Sequence, residues 1–205
     1  QAMLKRYGKK RWHATYIQGR MGITVMAMSA LDIALWQLWN GVPDPLPVYG
    51  SGCYRGLGHD GMIERAEQYV ADGFTTVKMQ VAHIFSADED VINVRDMRSA
   101  LGDDIGIMVD VNQGWNVDQA ITIGRRLDNC DLVWLEEPVI ADDFDGYHKI
   151  AKAIRTPVVG GENHFTHHDL KPFFPAGMCP FFNPILCAVA IRSYALLPIM
   201  LNERV

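Results

Sequence analysis

Between residues 62 and 160, short apolar runs alternate with amphipathic stretches, and this rhythm constrains the fold more than any other feature of the chain. Met62 to Asp72 reads as an amphipathic helix with Gly73 as its C-terminal stop. Phe74 to Val81 is a β-rich run, Asp88 to Leu101 a second helix closed by Gly102, and Ile105 to Val111 a buried strand. Val117 to Leu127 and Phe144 to Ala153 follow as helices, with Leu132 to Leu135 and Pro157 to Gly160 as strands. Strands apolar on both faces, each followed by a helix, predict a parallel sheet covered by helices. Upstream, Met28, Leu31, Ala34, Leu35 and Leu38 recur at three- and four-residue steps within 21–39, which predicts a buried helix ending at Asn40-Gly41. Leu46 to Tyr49 reads as a short strand running into Gly50-Ser51-Gly52.

A parallel sheet of this kind is either open and doubly wound or closed into a (β/α)₈ barrel. A doubly wound nucleotide binder carries a glycine-rich phosphate loop after its first strand. The stretch Gly50-Ser51-Gly52-Cys53-Tyr54-Arg55-Gly56 fits that pattern only loosely, with its third glycine displaced, and reads as a flexible loop.

The charges discriminate better. Asp110 ends one strand, Glu136 directly follows the next, and Glu162 follows the next again, each 26 residues from the last. In a parallel barrel all strand C-termini meet at one rim, so equal spacing brings the three carboxylates to one point. Packed carboxylates repel, and burial raises the cost, so a divalent cation resolves the conflict. All-oxygen ligation favours Mg²⁺, or Mn²⁺, over zinc. Lys78 lies on the preceding strand. It can neutralise a substrate carboxylate, act as a base with a pKa lowered by the cation, or form a Schiff base; an acidic rim beside it favours the first two.

Composition narrows the function classes. Lys plus Arg is 19 against 24 for Asp plus Glu, a net charge of −5, and the longest basic run is Lys9-Lys10-Arg11, so nucleic acid is not an expected partner. No run approaches 18 uninterrupted apolar residues, and no signal-peptide core opens the chain, so no membrane association is expected. The four cysteines show no CxxC spacing and read as thiols of a reducing compartment, which makes a cytoplasmic location the expectation.

The motifs VKMQV (77–81), VDVNQGW (109–115), WLEEP (134–138) and GGEN (160–163), with SALDIALW (29–36) before them, resemble the mandelate racemase subgroup of the enolase superfamily. The resemblance implies a modified TIM barrel with an α+β capping domain, most of which this chain lacks. On that basis residues 1–40 read as a remnant of the capping region with its lead-in helix, 41–170 as barrel strands one to five with their helices, and 171–205 are unassigned, with discontinuous later barrel or cap segments as the reading open to them. Eight strand–helix units need about 250 residues, so 205 residues with five strands read as part of a longer protein.

The resemblance further implies that Asp110, Glu136 and Glu162 bind Mg²⁺, that Asn112 contacts the substrate or its carboxylate, and that the reaction removes a proton α to a carboxylate. Glu137, the second acid of the EEP motif, is not assigned to the metal. The subgroup often has Lys-x-Lys on its second strand; here Lys78 matches the first lysine, which holds the carboxylate, and Gln80 stands where the second acts as base. An amide takes no proton at neutral pH, which disfavours a symmetrical two-base racemase. The usual Asp–His dyad is not found after Glu162. His164 is an alternative base, read more readily as a polar loop residue, with His167 and His168 opening the next helix. The expected activity is dehydration of an acid sugar to a 2-keto-3-deoxy acid, with Lys78, Gln80 and Asn112 contacting a small carboxylate substrate in a homo-oligomer. A racemase or epimerase, a Schiff-base aldolase through Lys78 and a non-catalytic metal-binding paralogue are the alternatives.

Overall fold

A computed structural model describes residues 2–15, 17, 19, 21–40, 48–166, 169 and 171–173. Two compact units are formed, one built on Leu46–Gly160 and one drawing on Gln1–Pro45 and Gly161–Pro175. In the latter, α1 (Ala2–Thr15) and α2 (Ile23–Asn40) are joined by side-chain bonds to one residue: the Arg11 guanidinium donates to the Met28 carbonyl at 3.4 Å, and the Thr15 hydroxyl lies 3.1 Å from the Met28 sulfur. Val25 and Met28 are buried, but Leu31 is 59% exposed and Ala34 is exposed. The expected stripe is therefore buried at Met28 and half-buried at Leu35 but open between them; the side chain of Leu38 lies outside the described residues.

The other unit is a five-stranded parallel sheet in the order β1 (Gly50–Cys53), β2 (Thr76–Gln80), β3 (Gly106–Asp110), β4 (Trp134–Glu136), β5 (Val158–Val159). The helices α3 (Gly58–Ala71), α4 (Ala87–Leu101), α5 (Val117–Leu127) and α6 (Phe144–Ala153) connect successive strands. Strand order never reverses, so no switch point of a doubly wound sheet exists among the described residues. Each strand adds beside the last, as in a TIM barrel, and the described strands do not close into a ring.

Local chemistry sets the helix boundaries. Ser86 and Glu89 form a reciprocal capping box on α4, Asn116 and Gln119 form another on α5, and the Asp143 carboxylate accepts from the Gly146 N–H at α6. Gly73 (φ 94°) and Gly102 (φ 73°) terminate α3 and α4 in a left-handed conformation.

The first strand departs from expectation. Of the expected strand at 46–49, Val48 and Tyr49 have no regular structure and Leu46 and Pro47 lie outside the described residues; the strand is Gly50–Cys53, the stretch read as a flexible loop. Gly50 and Gly52 lie against the Tyr69 ring, which leaves no room for a side chain, and the Tyr69 hydroxyl donates to the Ser51 carbonyl at 3.1 Å. A short 3₁₀ turn (Arg55–Leu57) follows, rather than a phosphate loop opening a helix. Cys53 and Cys130 are buried free thiols. No helix among the described residues is long and apolar enough to cross a membrane.

Candidate metal and carboxylate site

Register builds the site. Gln80 pairs with Asp110, Asp110 with Glu136, and Glu136 with Val159, so one row across the sheet carries both acids at their strand ends. Side chains alternate faces along a strand, so Met108 and Trp134 lie two residues below those acids on the same face. Met108, Trp134 and Val159 form a buried cluster, with the Tyr49 ring edge-on to Trp134 at 5.8 Å. That apolar layer is the floor on which the acids stand.

Asp110 and Glu136 are buried, Glu136 completely. The Lys78 ammonium bridges them, 3.1 Å from Asp110 Oδ2 and 3.1 Å from Glu136 Oε2. The Trp134 indole N–H also donates to Glu136 Oε2, at 3.2 Å. Glu136 Oε1 is buried with no hydrogen-bond partner among the described residues. A buried anionic oxygen without a donor is costly, and a cation is what such an oxygen lacks. Glu162, just beyond β5, is exposed, and one oxygen from each of Asp110, Glu136 and Glu162 lies within 4.8 Å of the others. Three hard oxygen donors of this kind suit Mg²⁺.

Burial, then the Asp110 charge, push the Glu136 carboxyl up to about 7, outweighing the lowering by Lys78 and Trp134. For Lys78, burial opposes the charge, but Asp110 and Glu136, aided by Tyr49, together outweigh it and raise its pKa above the ordinary lysine value. Lys78 is held as an ammonium.

The loops beyond the strands form a connected rim. Asp90 of α4 is buried and accepts from the Ala82 N–H at 2.7 Å and the Trp115 indole at 3.0 Å, tying the loop after β2 to the loop after β3. Arg55 donates from Nε to the Val81 carbonyl at 3.0 Å and from Nη2 to Asn112 Oδ1 at 2.6 Å. Gln113 donates from its backbone N–H to the Glu137 carbonyl at 2.7 Å, and its side-chain oxygen accepts from the Ala141 N–H at 3.0 Å. Glu137 is buried, with its Oε2 3.4 Å from Gln113 Nε2, in keeping with a supporting place.

Of the residues singled out in the sequence, Lys78, Asp110, Glu136 and Glu162 are brought together, and Gln80 and Asn112 sit half-buried at the same strand ends. His164 does lie in a loop, but buried there: it is 5% exposed, with its ring edge-on to Phe173 at 5.0 Å. His167 and His168 lie outside the described residues. Trp134, Asp90 and Arg55 had not been singled out. Trp134 is visible in the sequence as the same-face neighbour of Glu136, whereas Arg55 and Asn112, 57 residues apart, carry no sequence signal for their contact.

Comparison with known proteins agrees with this geometry. The chain is 34% identical over 186 residues to a 3,6-anhydro-alpha-L-galactonate cycloisomerase of Streptomyces coelicolor, covering 85% of this chain and 51% of that protein. It is 33% identical over 180 residues to an L-talarate/galactarate dehydratase of Salmonella typhimurium, covering 80% and 45%. Its structure resembles that of a racemase from Streptomyces coelicolor with bound magnesium, with a TM-score of 0.78 and 36% identity over 86% of this chain and 52% of the other. The chain thus spans about half the length of the curated relatives it matches. The enolase C-terminal domain-like family matches residues 61–195, and with the strand-end acids in the register described, the chain belongs to that family, in the enolase superfamily.

Proposed function

We propose that Asp110, Glu136 and Glu162 hold one magnesium ion, and that the protein removes the proton α to the carboxylate of an acid sugar and expels a β-hydroxyl, giving a 2-keto-3-deoxy acid. The observation that carries this reading is the convergence of three carboxylates at consecutive strand ends beside an ammonium. The ion supplies positive charge to a carboxylate whose α-carbon is losing its proton. The charged Lys78 supports a role in holding that carboxylate and speaks against a Schiff-base nucleophile, which must be a neutral amine. Asn112 and Gln80 add amides that suit a polyhydroxy substrate. Gln80 accepts no proton, so elimination is favoured over two-base racemisation, and His164 stands as a candidate base.

The identity to a cycloisomerase favours a second reading, in which the oxygen expelled from the β-carbon belongs to a ring and stays in the molecule, so that the ring opens without loss of water. Incubating the full chain with galactarate, talarate, arabinonate and gluconate, and with the cyclic acids 3,6-anhydrogalactonate and galactarolactone, with and without EDTA, separates the two by product mass. Dehydration gives a 2-keto acid lighter by one water, abolished by EDTA and restored by Mg²⁺. A product of unchanged mass indicates isomerisation. No turnover of any acid sugar with Mg²⁺ present overturns the proposal.

A further inference from the structure

Asn112 is held at three of its four polar groups. Its backbone N–H donates to Asp110 Oδ1 at 3.0 Å. Its carbonyl lies 3.0 Å from His83 Nε2, and since a carbonyl only accepts, that nitrogen carries the proton. Its side-chain oxygen accepts from Arg55 Nη2 at 2.6 Å. An asparagine amide can ordinarily be turned end for end, but not here: guanidinium has donors only, so the oxygen must face Arg55. Nδ2 is left with no hydrogen-bond partner among the described residues, on a half-buried side chain beside Asp110. The backbone at Asn112 is left-handed (φ 47°), a conformation that asparagine tolerates better than most residues.

We infer that Arg55 is a positioning residue that fixes Asn112 as a hydrogen-bond donor, directing its Nδ2 amide to an oxygen of a bound 2-hydroxycarboxylate. Arg55 acts through Asn112 and itself touches no ligand. It is suited to this because its second bond, to the Val81 carbonyl, anchors the guanidinium on the chain leaving β2. A neutral donor in its place makes a weaker bond to Oδ1 and leaves the amide free to turn. The inference rests on the proposed function only in seating a 2-hydroxycarboxylate at this rim.

Tartronate tests it. This 2-hydroxydicarboxylate has no β-hydroxyl to lose, so its binding does not depend on the dehydratase reading. The measurement is calorimetry of tartronate on the Mg²⁺-loaded full chain, after a separate titration of Mg²⁺. Arg55→Met and Asn112→Ala are each expected to weaken tartronate about tenfold, with Mg²⁺ affinity within twofold of wild type. The double variant should be no weaker than Asn112→Ala alone, within twofold. Arg55→Lys, which keeps a charged donor, should recover part of the loss. Asn112→Asp is the polarity test and does not require Arg55→Met to fold: it keeps an acceptor for Arg55 but replaces the donor by an anionic oxygen, so binding should fall at least tenfold.

Retained tartronate affinity in Arg55→Met or Asn112→Asp overturns the inference. So do single losses that multiply in the double variant, which would mean that Arg55 meets the ligand directly, and a parallel fall in Mg²⁺ affinity, which would mean that it only supports Asp110. A wild type that binds Mg²⁺ but no tartronate also overturns it. If tartronate binds as expected and no acid sugar is turned over, the proposed function fails and the role of Arg55 stands.

Discussion

At the end of the sheet where helices lead into strands, the chain turns on Gly73 (φ 94°) and Gly102 (φ 73°), with Asp131 (φ 47°) the one non-glycine residue at positive φ there among the described residues. Arg98 closes that end by donating to the carbonyls of Gly102, Ile105, Cys130 and Asp131. At the opposite end, beyond the strand C-termini, Ala82, His83, Asn112, Gln113 and Glu137 all adopt positive φ. A left-handed conformation costs an ordinary residue about 1 kcal/mol and glycine little. One end therefore turns cheaply and is saturated with backbone bonds. The other accepts strain at five side-chain-bearing positions, and it is the end that carries the carboxylates. Strain of this kind persists only where surrounding bonds over-determine it, and the Asp90, Arg55 and Gln113 hydrogen bonds do so here.

The sharpest break in this comparison is Glu136→Gln. It should lower Mg²⁺ affinity at least about 100-fold by calorimetry, while Arg98→Met at the opposite end should lower thermal stability and leave Mg²⁺ affinity unchanged. Equal metal affinity in wild type and Glu136→Gln would contradict the assignment of the acidic end.

Next in size is a pH effect. With its carboxyl pushed up to about 7, Glu136 binds its proton more tightly in the folded than in the unfolded protein. The folded state then holds more protons between the ordinary glutamic acid pKa and about 7, so stability contributed by this group is present below that window and is lost as pH rises through it. The Tm of the EDTA-treated protein should fall between pH 5 and pH 8 by on the order of 5 °C more than that of Glu136→Gln. Saturating Mg²⁺, which binds the ionised form, should shrink the difference.

Smallest is a contrasting pair of backbone changes. Gly102→Ala should destabilise by about 2 kcal/mol, because alanine must adopt φ 73° with ψ 180°, a region essentially confined to glycine. Ala82→Gly, at φ 64°, should change stability by less than about 0.5 kcal/mol, strain relief being offset by the added chain entropy and the loss of a buried methyl. Thermal melts that lower both variants equally would remove the distinction between the two ends.

What the amino-acid sequence determined by itself was whatever a few adjacent residues settle. Helices α5 and α6 run over the residues read from periodicity, because Asn116–Gln119 and Asp143 cap them with bonds spanning three positions. The acids at 110 and 136 could be placed at strand ends because apolar runs stop at them, and parallel pairing of consecutive strands then put them in one row. The strand at Gly50–Cys53 was not legible, since glycine and serine have little preference for extended structure; pairing with β2 and the Tyr69 ring impose it. Nor was the donor polarity of Asn112, which depends on Arg55 from a different strand end, or the burial of His164 against Phe173. Hydrogen bonds between distant segments leave no periodicity in either one, so only the tertiary fold selects which groups meet.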